Sequence, residues 1–142
     1  MMDRVVMDKA ALESFIKEQF PQVDGDFAVE VVTAEGCIVR LLTAERHLRP
    51  GGTVSGPSMF ALVDVGMYLA ILSRIGPKGL SVTTNCSIDF MRKPESGRDL
   101  ICETRLLKLG RVLAVGDCLI RSEGSEEVVA RASLTYSIPP ER

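Results

Sequence analysis

The sequence predicts an α+β fold in which an antiparallel sheet packs around one buried helix. Three observations carry this expectation. Helical and strand-like segments follow in the order helix, two strands, helix, four strands, without βαβ alternation. The second helical segment, centred on residues 59–72, is apolar almost all round and calls for cover on every side. The last three strand-like segments are joined by short turns, as in an antiparallel meander.

Each element has its own signal. Residues 1–7 read as a loose arm. Asp8 is placed to cap a helix on which Leu12, Phe15, Ile16 and Phe20 share a face, and Pro21 stops it. Residues 21–26 read as a turn. Residues 27–33 and 37–43 are rich in β-branched side chains and meet through Ala34-Glu35-Gly36, a short hairpin connection. Residues 44–56 form a loop with Pro50, Gly51, Gly52 and Gly56. Ser55 or Gly56 caps the second helix, Pro57 suits its first turn and Gly76-Pro77 ends it. In residues 80–91, Val82, Thr84, Cys86, Ile88 and Phe90 alternate with Thr83, Asn85, Ser87 and Asp89, which predicts a strand with the first set on one face. Pro94, Ser96 and Gly97 break the chain before strands at 99–109, 112–122 and 128–138. A sheet curved around the apolar helix has the hotdog geometry. The expected organisation is one domain over residues 1–142, with an arm and helix at 1–20 and a hotdog core at about 26–138. A single copy leaves sheet edges open, so a homodimer at least is expected.

Composition narrows the function. With 46% hydrophobic and 25% charged residues and a formal net charge of -2, the chain lacks the basic footprint of a nucleic-acid binder. No tryptophan and 5% aromatic residues argue against base-stacking platforms. The first twenty residues interleave charged and apolar side chains, unlike a secretory signal. The apolar run at 59–72 is shorter than the roughly 20 residues a bilayer demands and contains Asp64, so no membrane association is expected. Cys37, Cys86, Cys102 and Cys118 show no C-x-x-C spacing and read as reduced thiols of a cytoplasmic protein, three of them in strand-like segments. His47 is the single histidine, and no metal site is expected. No Walker or Rossmann glycine pattern is present, so no nucleotide cofactor of that kind is indicated.

Asp64 is the residue out of place. An ionised carboxylate within an apolar helix must find water, a partner or a proton, and such groups are kept where they do chemistry or face a polar seam. The preceding loop, Gly51 to Gly56, lets backbone approach a ligand, and the helix N-terminus offers unpaired N–H groups suited to a carbonyl or oxyanion. With Asp64 two to three turns further in and reaching the same cavity, the combination points to acyl transfer to water, Asp64 acting as base or nucleophile. Ser55, His47 and Asp64 sit near one another in sequence but without a G-x-S-x-G elbow, which disfavours a triad. Arg92 and Lys93 after one strand, and Lys108 and Arg111 around a turn, lie at strand ends where they could meet phosphates or simply solvent.

Together these residues resemble the PaaI-like acyl-CoA thioesterases of the hotdog superfamily. That family shows His-x-Asn-x-x-Gly-x-x-His-Gly-Gly, a short spacer and Leu-x-Asp. Here the stretch reads His47-Leu-Arg49-Pro-Gly-Gly52-Thr-Val-Ser55-Gly56-Pro57, then Leu62-Val63-Asp64. The family's Phe-Leu-Arg-Pro strand end appears as Phe90-Met91-Arg92-Lys93-Pro94, and its Gly-Arg turn as Gly110-Arg111. The resemblance covers roughly residues 26–138. It implies hydrolysis of an acyl-CoA to a free acid and coenzyme A, with Asp64 activating water or attacking the thioester and the Gly56 amide polarising its carbonyl. It also implies a site shared between two subunits, completed from the partner by Thr83, Thr84 or Asn85. Arg92, Lys93 and Arg111 become contacts for coenzyme A phosphates, and His47 lines the pocket. No cofactor is implied beyond coenzyme A as part of the substrate, and homotetramers are common in the family. The motif asparagine is Arg49 here and the motif histidine is Ser55. Ser55 can still donate a hydrogen bond, while Arg49 could bind an acidic acyl group or pair with Asp64. Those two departures favour the alternative of a non-catalytic hotdog protein that binds an acyl-CoA or acyl ligand. A hotdog dehydratase or hydratase is the enzyme rival, but His47 precedes the helix by too much to pair with Asp64 in that pattern. The acyl pocket is expected to depend on Met59, Met67 and Tyr68.

Overall fold

The structure, a computed structural model, describes residues 4–78 and 80–140. Helix α1 spans Lys9–Gln19, and the Asp8 carboxylate accepts from the Ala11 N–H at its start. Strands β1 (Phe27–Val32) and β2 (Cys37–Leu41) form the first hairpin. Helix α2 spans Gly56–Ile75, capped by the Ser55 hydroxyl, which accepts from the Ser58 N–H, and closed at Gly76 with φ 92°. Strands β3 (Val82–Phe90), β4 (Leu100–Leu109), β5 (Leu113–Ser122) and β6 (Val128–Ser137) follow. The six strands make one antiparallel sheet in the order β1-β2-β4-β5-β6-β3. This is the expected hotdog arrangement of one sheet on one central helix, with α1 as an addition.

Alternation places the core. Val39 and Leu41 of β2, Leu100 and Leu106 of β4, Ile120 of β5 and Leu134 of β6 face Leu62, Leu69, Ile71 and Leu72 of α2, all essentially without exposure. Helix and sheet approach closely at two glycines. A Cβ on Gly66 of α2 would lie 3.2 Å from Thr104 Cγ2, and one on Gly116 of β5 would lie 2.6 Å from the Arg105 carbonyl and against the Met67 thioether. All four cysteines lie in strands; Cys37, Cys102 and Cys118 are buried beneath α2, and burial pushes the Cys37 thiol up to about 12.

Arg74, 3% exposed at the end of α2, donates to the Thr33 carbonyl, to the Gly36 carbonyl at 3.0 Å and to Ser73 Oγ at 2.6 Å. It thereby ties the β1–β2 turn to the helix.

Three expectations are corrected. The arm is not loose over its described part: the Val6 and Met7 amides bond to the Ser73 carbonyl at 2.7 and 3.2 Å and Met7 is buried, while residues 1–3 lie outside the described residues. α2 runs 20 residues and contains an 18-residue window of mean hydropathy 1.5, so length does not exclude a membrane span. Burial speaks instead, since 67% of its most apolar 18-residue window is covered by the fold. In β3, Thr83 pairs with Tyr136 and Asn85 with Thr135, which leaves Thr84 as an extra, bulged residue. The bulge shifts the strand's phase, so Thr83 shares the inward side with Cys86 and Ile88, while Val82 and Thr84 are exposed.

Candidate active site

Asp64 sits on the one side of α2 that strands β3 and β6 leave partly open. Its Oδ1 accepts from Thr83 Oγ1 at 2.6 Å and from the Tyr136 hydroxyl at 2.6 Å, which also lies 2.8 Å from the Asp64 carbonyl oxygen. Oδ2 has no donor among the described residues. Burial, and next the Asp64 charge, push the Tyr136 hydroxyl well above the ordinary tyrosine range, which keeps it a neutral donor. Around the carboxylate is a cleft of about 430 Å³ lined by Gln19, Phe20, Tyr68, Ser81, Thr83 and Tyr136. A carboxylate beside a cleft, with one oxygen held by two donors and the other without a donor among the described residues, is chemically able to accept a proton or attack a carbonyl.

Tyr136 was not singled out in the sequence, although its strand carried the signal. Ala130, Ala132, Leu134 and Tyr136 alternate inward on β6, and a phenol at an inward position needs an acceptor. Thr83 reaches Asp64 from the same chain, which corrects the expectation that the β3 residues complete the Asp64 site from a partner. Thr84 instead donates to the Thr135 carbonyl at 3.3 Å, and Asn85 is exposed. Met59 and Met67 are buried in the core and do not line the cleft; Tyr68 does.

The loop before α2 folds through its own hydrogen bonds. Gly52 N–H donates to the Arg49 carbonyl at 3.0 Å, Arg49 N–H to the Thr53 carbonyl at 2.9 Å, and Gly51 and Gly52 take φ of 106° and 89°. Ser55 serves as helix cap, its hydroxyl 3.0 Å from Ser58 Oγ. Gly56 opens the helix ahead of Pro57, and among the described residues no acceptor meets its N–H; a Cβ there would lie 3.4 Å from the Phe90 ring. Gly56 precedes Asp64 by eight residues, a rise of about 12 Å, and is absent from the Asp64 cleft. Within one chain the two groups therefore do not share a cavity, contrary to expectation.

His47 is structural in its contacts. Its Nδ1 accepts from the Ala44 N–H at 2.9 Å, which puts the proton on Nε2, 3.5 Å from Asp26 Oδ1. Burial, and then Arg46, hold the imidazole below its ordinary value, since the Asp26 charge is already spent on Arg46. The folded state thus takes up this proton less readily than the unfolded chain. His47's contribution is complete above its unfolded value of 6.5 and is lost as the pH falls below it. The urea midpoint is expected to be lower at about pH 5.5 than at about pH 7.5, and His47→Gln is expected to shrink that difference. An equal difference in the variant would remove His47 from the account.

Arg49 is exposed and not among the partners of Asp64. Arg92 pairs with Glu127 at 3.1 Å. The register sets Val82 level with Ser137 and Leu113, and Phe90 level with Ala130 and Ile120. Arg111 thus lies at one end of the sheet and Arg92 and Lys93 at the other, at least about 24 Å apart at roughly 3.4 Å per residue. In one chain these cations do not converge on a single phosphate group. Among the described residues no cluster of three His, Cys, Asp or Glu side chains is arranged to hold a metal.

Comparison with known proteins agrees with this geometry. Residues 51–129 match the family model described as "Thioesterase superfamily". A Pseudomonas aeruginosa protein named "Putative esterase" is 34% identical over 103 residues, covering 72% of this chain and 75% of that protein. The crystal structure of a "putative thioesterase" from Silicibacter sp. TM1040 aligns with a TM-score of 0.91 at 58% identity, over 96% of this chain and 95% of that one. A variant of the phenylacetic acid degradation protein PaaI of Thermus thermophilus shares the fold, with a TM-score of 0.71 at 24% identity over 84% of this chain and 99% of that one.

Proposed function

Because the chain belongs to the thioesterase superfamily, whose chemistry is thioester hydrolysis, we propose that it hydrolyses acyl-CoA thioesters, with Asp64 Oδ2 as the reacting carboxylate oxygen. The observation that carries this reading is the pinning of Oδ1 by Thr83 and Tyr136, which leaves Oδ2 without a donor among the described residues on a side chain that lines the cleft. Oδ2 either takes the proton of an attacking water or attacks the thioester carbon itself. In both routes the carbonyl oxygen gains charge and the C–S bond breaks. In the first, the water oxygen bonds the carbonyl carbon and the proton taken up by Oδ2 passes to the departing thiolate. In the second, the thiolate takes a proton from solvent, and water then hydrolyses the mixed anhydride on Asp64 to the free acid and restores the carboxylate. Coenzyme A enters only as part of the substrate, and no other cofactor takes part. Four free thiols suit the reducing cytoplasm.

The developing oxyanion needs a donor, and the Gly56 amide is the one at a helix N-terminus. Thr83 touches Asp64 at one end of edge strand β3, and Phe90 lies against Gly56 at the other. Antiparallel pairing of β3 with β3 of a second copy therefore brings the carboxylate of one subunit towards the amide of its partner. The same pairing covers Phe90, 51% exposed, and an otherwise open edge. A homodimer is the smallest active unit in this reading, with a tetramer of two such pairs compatible with it.

The test is thiol release from an acyl-CoA panel, combined with subunit mixing. Asp64→Asn and Gly56→Pro, which removes the N–H at a position that tolerates proline, are each expected to be inactive. Mixed dimers are expected to regain turnover, since one of their two sites is intact. Failure of every mixture would sink the shared site. An unmutated protein that binds acyl-CoA without turnover would make it the non-catalytic relative that Arg49 and Ser55 favour.

Tyr136→Phe and Thr83→Val each remove one donor from Oδ1. Each is expected to lower kcat about tenfold, the size of one hydrogen bond to a charged group, with little change in KM. The double variant is expected to lose less than the product, because the two donors share one acceptor. A change confined to KM would assign them to substrate binding instead.

A further inference from the structure

A second cleft of about 680 Å³ lies between α1 and the end of α2, lined by Met7, Ala11, Phe15, Tyr68, Pro77 and Leu80, with Ser14, Glu18 and Gln19 on its α1 side. It shares Tyr68 and Gln19 with the Asp64 cleft. Tyr68 is one helical turn beyond Asp64, a rise of about 6 Å, and is the wall common to both spaces. Its ring sits among Phe15, Phe20 and Tyr136, with centroids 6.2, 6.1 and 6.3 Å away. An aromatic cluster centred on Tyr68 thus lies between the carboxylate and the second cleft. Among the described residues that line the far cleft there is no cation, and the one charged member is Glu18. Leu80, 78% exposed, is a large apolar side chain there that an occupant would cover. α1 supplies Ala11, Ser14, Phe15, Glu18 and Gln19, five of the nine described lining residues, so this chamber depends on the N-terminal helix.

We infer that the acyl group of the substrate runs from Asp64 past Tyr68 into the chamber under α1, which selects uncharged aliphatic chains long enough to reach it. This rests on the thioesterase reading. A carboxylate-ended chain meets Glu18 and, among the described lining residues, no cation, and a short chain ends at Tyr68 without burying apolar surface in the chamber. Within the length range that the chamber accepts, each added methylene raises kcat/KM by up to about fourfold, the value of burying one CH2.

The experiment compares kcat/KM for acetyl-, butyryl-, octanoyl-, decanoyl- and glutaryl-CoA in the unmutated protein, Ala11→Phe and Ser14→Trp. Both substitutions fill the chamber from α1, and Ser14 is exposed, so the second keeps the test valid should the first disturb packing. The decanoyl-to-butyryl ratio is expected to exceed ten in the unmutated protein and to fall at least tenfold in folded variants, with glutaryl-CoA poor throughout. A flat profile from butyryl to decanoyl, a ratio unchanged in both variants, or a preference for glutaryl-CoA would overturn the inference while leaving the hydrolase reading standing. Should no thioester be hydrolysed, the hydrolase reading fails by itself and calorimetry decides the chamber. Tighter binding of decanoyl-CoA than butyryl-CoA, abolished by Ser14→Trp, would uphold it, and equal affinities would overturn it.

Discussion

Asp64→Asn is expected to lower kcat by about 10²- to 10⁴-fold, the usual contribution of a positioned general base or more, while the protein keeps its fold. The amide oxygen of asparagine can take the place of Oδ1 and accept from Thr83 and Tyr136, so the local hydrogen bonds survive. What disappears is the basic, nucleophilic Oδ2. The measurement is thiol release at saturating substrate, with circular dichroism and the melting temperature as controls. Undiminished turnover would remove Asp64 from the reaction. Loss of the fold would instead show that the carboxylate holds the helix in place.

The second large effect concerns stability. Gly116→Ala is expected to cost about 1–3 kcal/mol, the range for overpacking a tight core. The new Cβ would meet the Arg105 carbonyl at 2.6 Å and the Met67 thioether. Met67 can swing its end away, but the carbonyl belongs to the β4–β5 ladder and cannot move without breaking register. Gly66→Ala supplies the contrast. Its nearest neighbours are the side chains of Thr104, at 3.2 Å, and Cys102, which can yield. Alanine is also favoured over glycine inside a helix by about 1 kcal/mol, so a much smaller loss is expected there. Urea titrations of both variants check the pair, and equal losses would show that backbone contact is not what distinguishes them.

The elements were legible in the sequence because their signals are local. Asp8, Ser55, Pro57 and Gly76 punctuate the helices within a few residues of where they act, and the short turns between β4, β5 and β6 report an antiparallel meander. Asp64 stood out because a carboxylate contradicts an apolar helix. The rest depends on pairing across the sheet. The bulge at Thr84 shows only against β6, so alternation alone put Thr83 on the wrong side of the strand. Tyr136 meets Asp64 across 72 residues of sequence. Strand order, which no local pattern encodes, is what separates Arg111 from Arg92 and Lys93. The separation of Gly56 from Asp64 is local by contrast, eight residues along one helix, and only the expectation of a shared cavity hid it.

The burial of α2 has a kinetic corollary for amide hydrogen exchange. Its backbone is wrapped by the sheet, packed at Gly66 and Gly116 and tied at Arg74 to the β1–β2 turn. Amides in its buried, hydrogen-bonded part can reach solvent only when the whole domain opens, so their protection should track global stability. Those of its first turn, the Gly56 N–H among them, should exchange sooner. α1 is held by three buried side chains, Leu12, Phe15 and Ile16, and by the Glu13 carboxylate on the Val29 amide at 3.1 Å. It should open as a smaller unit and exchange sooner. The helix that walls the second cleft then opens on its own clock, while Asp64 stays set with the buried part of α2.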